Sequence, residues 1–369
     1  MNFDLSEDEE MLKALAERFV TDSYDVDRRR LFLAEPHGFS ADNWALLGEL
    51  GLIAAPFGEE AGGLGLDATG IATVFEALGR GLVVEPLIEN VMVAGRLFAA
   101  TSTGLLRDQW LPALLTGERR IAFAHAEARG RGGRLWVESR ADGDGATARL
   151  SGAKPYVPGG SGVDGYIVSA RRSGAPGATE GVGLFFVPVE AAGLSRETWR
   201  MADGAAAASL TLDGVEAVPL AGGVQAIAEN ELLADLARSA EALGIMERIF
   251  AETLDYLRTR QQFGTPLSSF QAIQHRMVAQ YAAIEQSRGL LNQALVTHGS
   301  DRFEGAVRGL RAFVAPASIE LGHEMIQFHG GMGVTDELSI GHGHKRLLVL
   351  SRWPDDPDTA LDRFAGIAA

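Results

Sequence analysis

The feature that most constrains this chain is a change in its residue pattern, from helical periodicity to the pattern of short strands and back to helical periodicity. Up to about residue 118, apolar residues recur at helical spacing, as between Met11 and Phe19. Ser6 and Glu9 stand at capping-box spacing before that run, which predicts the start of the first helix. The first third of the chain is therefore predicted to be all-helical.

The middle of the chain, from about residue 119 to residue 224, has a different pattern. Short runs rich in β-branched and aromatic residues alternate with turn clusters such as Asp142-Gly143-Asp144-Gly145. Strands at such close spacing favour a barrel or a sandwich over βαβ units. We therefore expect a small β-domain at 119–224.

Helical periodicity returns at about residue 225. Two apolar stripes, Leu243 to Leu257 and Phe270 to Ile284, lie on segments of about 30 residues, or roughly 45 Å of helix. Long helices of this kind pack as bundles. A further helix is expected from about Phe303 to Gln327, where Pro316 predicts a kink or a division because proline lacks a donor.

These patterns predict three domains. They are an N-terminal helical domain at 1–118, a middle β-domain at 119–224 and a C-terminal helical bundle at 225–369. The length of 369 residues agrees with two or three domains, and 46% hydrophobic and 22% charged residues are typical of a folded protein.

The charge balance disfavours two classes of partner. There are 33 basic and 49 acidic residues, a formal net charge of −16, which repels phosphate backbones and anionic lipids. No apolar stretch approaches the roughly 18 residues that span a bilayer. The acidic N-terminus also lacks the basic region of a signal peptide. We therefore expect no nucleic acid and no membrane partner, and a cytoplasmic location.

The chain contains no cysteine, which excludes disulfides, thiolate metal sites, iron–sulfur clusters and a cysteine nucleophile. Several histidines lie near the end, namely His323, His329, His342 and His344. In the segment HGHK, which contains His342 and His344, no carboxylate stands at a helical ligand spacing that singles out a site, so we expect packing or surface roles and no metal site.

A basic turn between two predicted bundle helices is the first candidate site. The stretch from Arg258 to Gln271 ends one helix with arginines, turns at Gly264 and Pro266, and opens the next helix behind serines. A guanidinium beside a helix start can bind a pyrophosphate. The same residues also agree with an ordinary connection carrying a solvated arginine at a helix C-terminus.

A glycine-rich segment, QFHGGMG beginning at Gln327, is the second candidate. Adjacent glycines permit close approach of the backbone to a ligand. A helix C-cap explains them equally well. The segment is not a Rossmann fingerprint, because no strand precedes it and the glycine spacing differs.

Taken together, these segments resemble the acyl-CoA dehydrogenase family, whose pattern is Arg-x-x-Phe-Gly-x-Pro-Leu followed by Phe or Leu and Gln, and later Gln-x-x-Gly-Gly-x-Gly. The loop PFGEEAGGLGLD from Pro56 and the opening FDLSE from Phe3 are similar to the family too. The resemblance runs from about residue 3 to about residue 350. It implies a mainly α chain with a central β-domain: an N-terminal helical domain, a middle β-barrel and a C-terminal four-helix bundle.

The resemblance also implies FAD as cofactor, lying between barrel and bundle, with its nucleotide half reached by a neighbouring subunit. The residues carried over for the diphosphate and adenine half are Arg260, Gln262, Phe263, Gln271, Gln327, Gly330 and Gly331. The implied reaction is α,β-dehydrogenation of an acyl-CoA thioester, in which a carboxylate removes the α-proton and flavin N5 takes the β-hydride. An oligomer follows, with a homologous subunit or further copies of this chain. Electron-transfer flavoprotein is the implied electron acceptor.

The catalytic carboxylate is where the sequence departs from the commonest family members. Their base lies in a Tyr-Glu-Gly-Thr segment, and the corresponding position here, near Trp353, has no glutamate. A smaller branch, whose members pair as unequal subunits in bacterial degradation of steroid side chains and dicarboxylates, has a glutamate about 19 residues before the motif arginine, where Glu241 stands. The resemblance thus implies Glu241 as base. A solvated glutamate paired with Arg238 or Arg248 is the alternative, and Glu337 ranks below Glu241.

Two barrel stretches, Ala126–Gly133 and Lys154–Ser161, correspond to the family's flavin-ring contacts but lack its usual motifs. This divergence is typical of the small subunit in unequal pairs. Three hypotheses stay open: an active subunit that uses Glu241, a non-catalytic partner that completes the FAD site of a larger homologue, and a flavin oxidase or monooxygenase on the same fold.

Overall fold

The structure is a computed structural model that describes residues 5–130, 135–143 and 145–366. Phe3, Asp144 and the residues 131–133 of the first barrel stretch lie outside this range. The chain divides into two compact units. One joins the residues up to Phe32, Ala68–Val83 and the chain from Asp235 onward, and the other joins Leu33–Asp67 and Val84–Ala234. The three predicted domain boundaries stay a prediction.

Helices form the N-terminal third, as predicted. They are α1 (Glu7–Ser23), α2 (Val26–Ala34), α3 (Ala41–Glu49), α4 (Ala68–Gly81), α5 (Arg96–Thr101) and α6 (Gly104–Thr116), with a short 3-10 turn at Glu59–Ala61 and a π-helical segment, Leu87–Gly95, before α5. The predicted capping box is confirmed. Ser6 Oγ accepts from the Glu9 amide at 3.3 Å, and Glu9 Oε2 accepts from the Ser6 amide at 2.7 Å.

The middle third is a closed barrel rather than a sandwich. Its strands are β1 (Ile121–Ala124), β2 (Arg140–Asp142), β3 (Ala148–Pro158), β4 (Gly165–Arg171), β5 (Val182–Pro188), β6 (Leu194–Arg200) and β7 (Ala206–Leu220). The ring closes because β4 pairs with β2 and β5, β5 pairs with β7, β7 with β3, and β3 with β2. Strand β1 adds to β4 in parallel and β6 adds to β7 outside the ring.

Alternate side chains of these strands fill the barrel. Leu150, Val168, Phe185 and Leu210 are all 1% exposed or less, and they belong to one apolar cluster. Each such side chain contributes about 1.5–3 kcal/mol on burial. In strands whose burial alternates, such as β3 and β7, the period of two therefore fixes which face points inward.

The C-terminal third is helical, as predicted. It contains α7 (Val224–Thr259), a hairpin of β8 (Gln261–Gln262) and β9 (Thr265–Pro266), α8 (Gln271–Thr297), α9 (Phe303–His329), α10 (Ser339–Arg352) and α11 (Pro357–Phe364). Helix α9 packs against α8, α10 and α11. No helix in the described residues is long and apolar enough to cross a membrane.

Of the two outcomes expected at Pro316, a kink or a division of the helix, the division is wrong. Helix α9 runs through Pro316 without division, from Phe303 to His329. An interior proline costs about 3 kcal/mol, but α9 buries a full face that includes Leu310, Leu321 and Met325. Packing of that face outweighs the lost backbone hydrogen bond.

Candidate functional site

Three bundle helices begin or end at the same place, and they bring the two sequence motifs together. The backbone N–H of Arg260, just after α7, donates to the Tyr256 carbonyl at 2.8 Å. The ring of His329, the last residue of α9, stacks on Tyr256 with 4.2 Å between centroids. The Arg260 turn and the glycine segment that starts at Gly330 are therefore neighbours.

The tip of the hairpin carries an unusual aromatic residue. Phe263 is 94% exposed. Its φ is +56°, and Gly264 follows at +79°, so both central residues of the turn are left-handed. This conformation costs a residue with a Cβ roughly 1–2 kcal/mol. An exposed apolar ring on a strained backbone indicates a contact with another molecule.

The polar side chains of the two motifs are open to solvent. Arg260, Gln262, Gln271 and Gln327 are all exposed. The backbone of Arg260 is fixed on both sides, since its carbonyl also accepts from the Leu267 amide at 2.9 Å. A guanidinium and several amides on a fixed backbone supply the donors that a diphosphate needs.

Two glycines of the QFHGGMG segment border open space. Gly330 has φ 60° and ψ −140°, a conformation that is essentially restricted to glycine. A Cβ placed on Gly330 or Gly331 would meet no heavy atom within 4 Å. A Cβ on Gly333, in contrast, would lie 2.7 Å from the Ile326 carbonyl oxygen. A phosphate or another group of a ligand can therefore approach the protein backbone closely at Gly330 and Gly331.

An ion pair holds α8 and α9 together at this end of the bundle. Arg276 of α8 donates to both carboxylate oxygens of Glu324 of α9, at 2.6 and 2.8 Å. Its guanidinium also lies 4.7 Å from the centre of the Phe328 ring. Sequence reasoning missed Arg276 because no local pattern connects α8 to α9 across 48 residues.

Glu241, the predicted base, lies on α7 and is 6% exposed. Arg346 of α10 donates to both of its carboxylate oxygens, from Nε at 2.6 Å and from Nη2 at 3.1 Å. A bidentate guanidinium stabilises the ionised carboxylate strongly. Glu241 can accept a proton readily only after Arg346 moves away.

The alternative of a solvated Glu241 paired with Arg238 or Arg248 is wrong, because the side chain is buried. Arg238 Nη1 pairs with Asp235 at 2.7 Å and Arg248 Nε with Glu252 at 2.8 Å, both on α7 itself. These local ion pairs at helical spacing occupy the two arginines. The partner of Glu241 comes instead from a helix far along the chain.

A close helix crossing fixes the backbone at Glu241. A Cβ on Gly79 of α4 would lie well inside 3.0 Å of the Glu241 carbonyl oxygen, and a Cβ on Gly244 would collide in the same way with the Glu76 carbonyl. Each helix therefore places a glycine against the backbone of the other.

The position of the usual family base has no glutamate. Helix α10 ends at Arg352 and Trp353 follows. The nearby Asp355 is 4% exposed and forms an ion pair with Arg363 at 2.7 Å. Glu337 is exposed. Glu241 therefore stays the candidate base.

The barrel brings its two candidate flavin-ring stretches together. Ala126 forms a β-bridge with Tyr156, and the buried Lys154 Nζ donates to Glu127 Oε1 at 2.6 Å. Burial lowers the pKa of Lys154 to about 8, although Glu127 opposes the shift. The buried ion pair between Lys154 and Glu127 therefore fixes the two stretches against each other.

Two family descriptions match the chain: "Acyl-CoA dehydrogenase, N-terminal domain" at residues 6–118 and "Acyl-CoA dehydrogenase, C-terminal domain" at residues 223–353. A helical N-terminal third, a central barrel and a C-terminal bundle are the architecture of this class of flavin-dependent dehydrogenase. The chain belongs to the acyl-CoA dehydrogenase family. Its reaction class is FAD-dependent dehydrogenation of an acyl-CoA, and the predicted fold, enzyme class and cofactor are confirmed.

Particular relatives agree with this assignment. The chain is 26% identical over 345 residues to the acyl-CoA dehydrogenase FadE27 of Mycobacterium tuberculosis, with 90% of each protein covered. It is similar to a Tcur3481-Tcur3483 steroid ACAD variant at 29% identity, with a TM-score of 0.87 and coverage of 98% and 97%. It also has the fold of a chain in the ChsE4-ChsE5 complex from Mycobacterium tuberculosis, at 24% identity, TM-score 0.88 and coverage of 99% and 98%.

Proposed function

We propose that this chain is a subunit of an oligomeric acyl-CoA dehydrogenase and that its bundle end binds the diphosphate and adenine half of FAD. The residues are those predicted from the sequence, Arg260, Gln262, Phe263, Gln271, Gln327, Gly330 and Gly331. The observation that carries this proposal is Phe263, 94% exposed on a left-handed backbone at the hairpin tip. Bound FAD would supply the hydride acceptor, and the chain would supply donors to its phosphates and a ring for its adenine.

We infer that the partner is a homologous subunit rather than a further copy of this chain. Two of the similar structures are named as pairs of different chains, and the stretches for the flavin ring diverge from the family. The substrate is then a CoA thioester, the electron acceptor is an electron-transfer flavoprotein, and the location is cytoplasmic. A steroid-derived acyl group is the substrate class that the first of these relatives favours.

Glu241 is proposed as the carboxylate that removes the α-proton. It is buried on α7, away from bulk water, as a base for a weakly acidic C–H must be. Its ion pair with Arg346 adds a requirement, since the guanidinium must release the carboxylate before proton transfer. The Arg346 side chain is only 12% exposed, so its release needs a movement of α10 or a competing anion.

The same ion pair favours a second candidate function. If Arg346 never releases Glu241, this chain has no base at either family position and acts as the non-catalytic partner that completes a homologue's FAD site. Both candidates share the nucleotide-binding end. They differ in whether this chain touches the reacting carbons.

Spectroscopy of the assembly separates these possibilities. We expect the chain, co-expressed with a homologous subunit, to be yellow, and Phe263→Ala to lower its FAD content severalfold. Phe364→Ala is the matched control, because Phe364 is a half-exposed ring on α11, outside the predicted nucleotide-site residues. Absence of FAD from every assembly would refute the proposal.

A substitution at the candidate base decides the second question. Glu241→Gln, with FAD still bound, abolishes bleaching of the flavin by acyl-CoA if Glu241 is the base. Glu337→Gln serves as control, since this exposed acid precedes α10. Retention of most of the bleaching rate in Glu241→Gln assigns the non-catalytic role. Oxygen consumption on substrate addition would indicate an oxidase instead.

A further inference from the structure

The histidine under the glycine segment has a defined hydrogen-bonding state. His329 is 8% exposed, and its Nε2 lies 3.2 Å from Thr253 Oγ1. Thr253 Oγ1 already donates its hydrogen to the Ile249 carbonyl at 2.7 Å, so it acts as the acceptor toward His329. Nε2 therefore carries the proton, and Nδ1 is the bare nitrogen.

The unprotonated ring nitrogen, Nδ1, is shielded from solvent. His329 Nδ1 is buried and has no hydrogen-bond partner in the described part of the chain. A proton on Nδ1 would have no acceptor, which makes the charged ring costly. Burial accordingly lowers the pKa of His329 below its ordinary value.

His329 joins the two parts of the nucleotide site. Its ring stacks on Tyr256 at 4.2 Å and 23°. Tyr256 in turn accepts from the Arg260 amide, where the hairpin starts. Gly330 follows His329 directly and takes a conformation restricted to glycine. A shift of the His329 ring would thus move both the first glycine and the end of α7.

We propose that neutral His329 is the positioning residue of the nucleotide site, holding the glycine segment against the end of α7. This inference rests on the proposed binding of the FAD nucleotide half at this end of the bundle. His329 itself does not touch the nucleotide. It sets the backbone from which Gly330 and Arg260 do.

The charged groups around His329 leave its protonation unfavourable. Glu252 of α7 raises its pKa, but less than burial lowers it. That carboxylate is already engaged by Arg248 and by the Ser339 hydroxyl of α10. On the side of α8, Arg276 is positive and lies over the neighbouring Phe328. The Glu252 carboxylate of α7 is thus shared with other partners, and among the described residues neither α8 nor α10 brings an unpaired carboxylate to His329.

Amide hydrogen exchange of the apo chain tests the positioning without FAD. We expect His329→Ala to speed exchange at residues 330–334 at least tenfold, because it removes both the stacking and the hydrogen bond. His329→Phe keeps the stacking and should stay within about threefold of the wild type. His298→Ala is the matched control, since His298 contacts Phe303 at 5.0 Å at the far end of α8.

FAD titration of the assembly, followed by flavin fluorescence from pH 8 to pH 5, is the second measurement. Because burial lowers the pKa of His329, we expect wild-type affinity to fall only at pH values below about 6.5, the ordinary pKa of histidine, once the pH reaches the lowered pKa of His329. His329→Phe should show no such fall. Thr253→Val should weaken FAD binding at all pH values. Unchanged exchange in His329→Ala, or an acid-induced loss in His329→Phe equal to that of the wild type, would overturn the inference.

The two proposals can fail separately. If neither the wild type nor any assembly binds FAD, the proposed function is refuted, and the exchange rates alone then decide whether His329 positions the glycine segment. If FAD binds but His329→Ala changes neither exchange nor affinity, the positioning role is refuted and the proposed function stands.

Discussion

The ion pair between Glu241 and Arg346 predicts a large and specific loss of stability. The two side chains are 8% and 12% exposed, so both charges are largely removed from water. Removal of one partner from such a pair costs about 3–5 kcal/mol, because the other charge is left buried and uncompensated. We therefore expect Arg346→Met to lower the free energy of unfolding by about 3 kcal/mol or more. Replacement of both residues, Glu241→Met with Arg346→Met, should recover most of this loss.

Chemical denaturation of four variants measures the effect. They are the two single variants, the double variant and Arg18→Met, which breaks an exposed pair with Asp22 at 80% and 63% exposure. An exposed pair of this kind is worth about 0–1 kcal/mol. A loss of unfolding free energy in Arg346→Met no larger than that in Arg18→Met would refute the expected cost of breaking the buried ion pair. A double variant whose loss equals the sum of the two single losses would refute it as well.

Other perturbations have equally definite outcomes. Gly79→Ala should destabilise the chain by about 1–3 kcal/mol, because a Cβ there collides with the Glu241 carbonyl; Gly289→Ala on α8, where a Cβ meets nothing within 4 Å, should instead stabilise it by up to about 1 kcal/mol. Thermal unfolding of the two variants makes the comparison. Burial lowers the pKa of His344 to about 4. Between pH 6.5 and pH 4 the unfolded chain therefore binds a proton at His344 that the folded chain does not, so the free energy of unfolding falls as the pH drops through this range. His344→Leu should flatten that part of the stability profile, and an unchanged profile would contradict it.

The order of helical, strand and helical segments could be predicted because each has its own period in the sequence. Several elements were not predicted, and α2, α6 and β6 show the physical reasons. Helix α2 has the sequence VDRRRLFLA and buries Arg29 rather than an apolar stripe. Helix α6 contains Pro112. Strand β6 is almost entirely exposed, so its residues show no alternation of polar and apolar side chains. A sequence pattern does not predict a helix or a strand whose buried residues are not spaced at the period of that element.

The candidate site shows a similar division. The Arg260 turn and the glycine segment are local motifs, so their positions were predicted from sequence. The partner of Glu241 was not, because Arg346 is 105 residues away on another helix. In the sequence, His329 is only one of several histidines near the end of the chain. Its stacking on Tyr256 depends on how α7 and α9 meet, which no spacing within either helix reveals.

The glycine crossing of α4 and α7 has a consequence for how the chain is made. Helix α4 is synthesised early. Its Gly79 packs against the backbone of α7 at Glu241, which lies more than 150 residues later in the chain. Until then α4 packs against α1. A fragment that ends after the barrel would expose the apolar faces of α1 and α4. A fragment that begins at α7 would expose the surface around Gly244 that packs against the backbone of α4. We expect both fragments to aggregate alone and to recover when mixed during refolding.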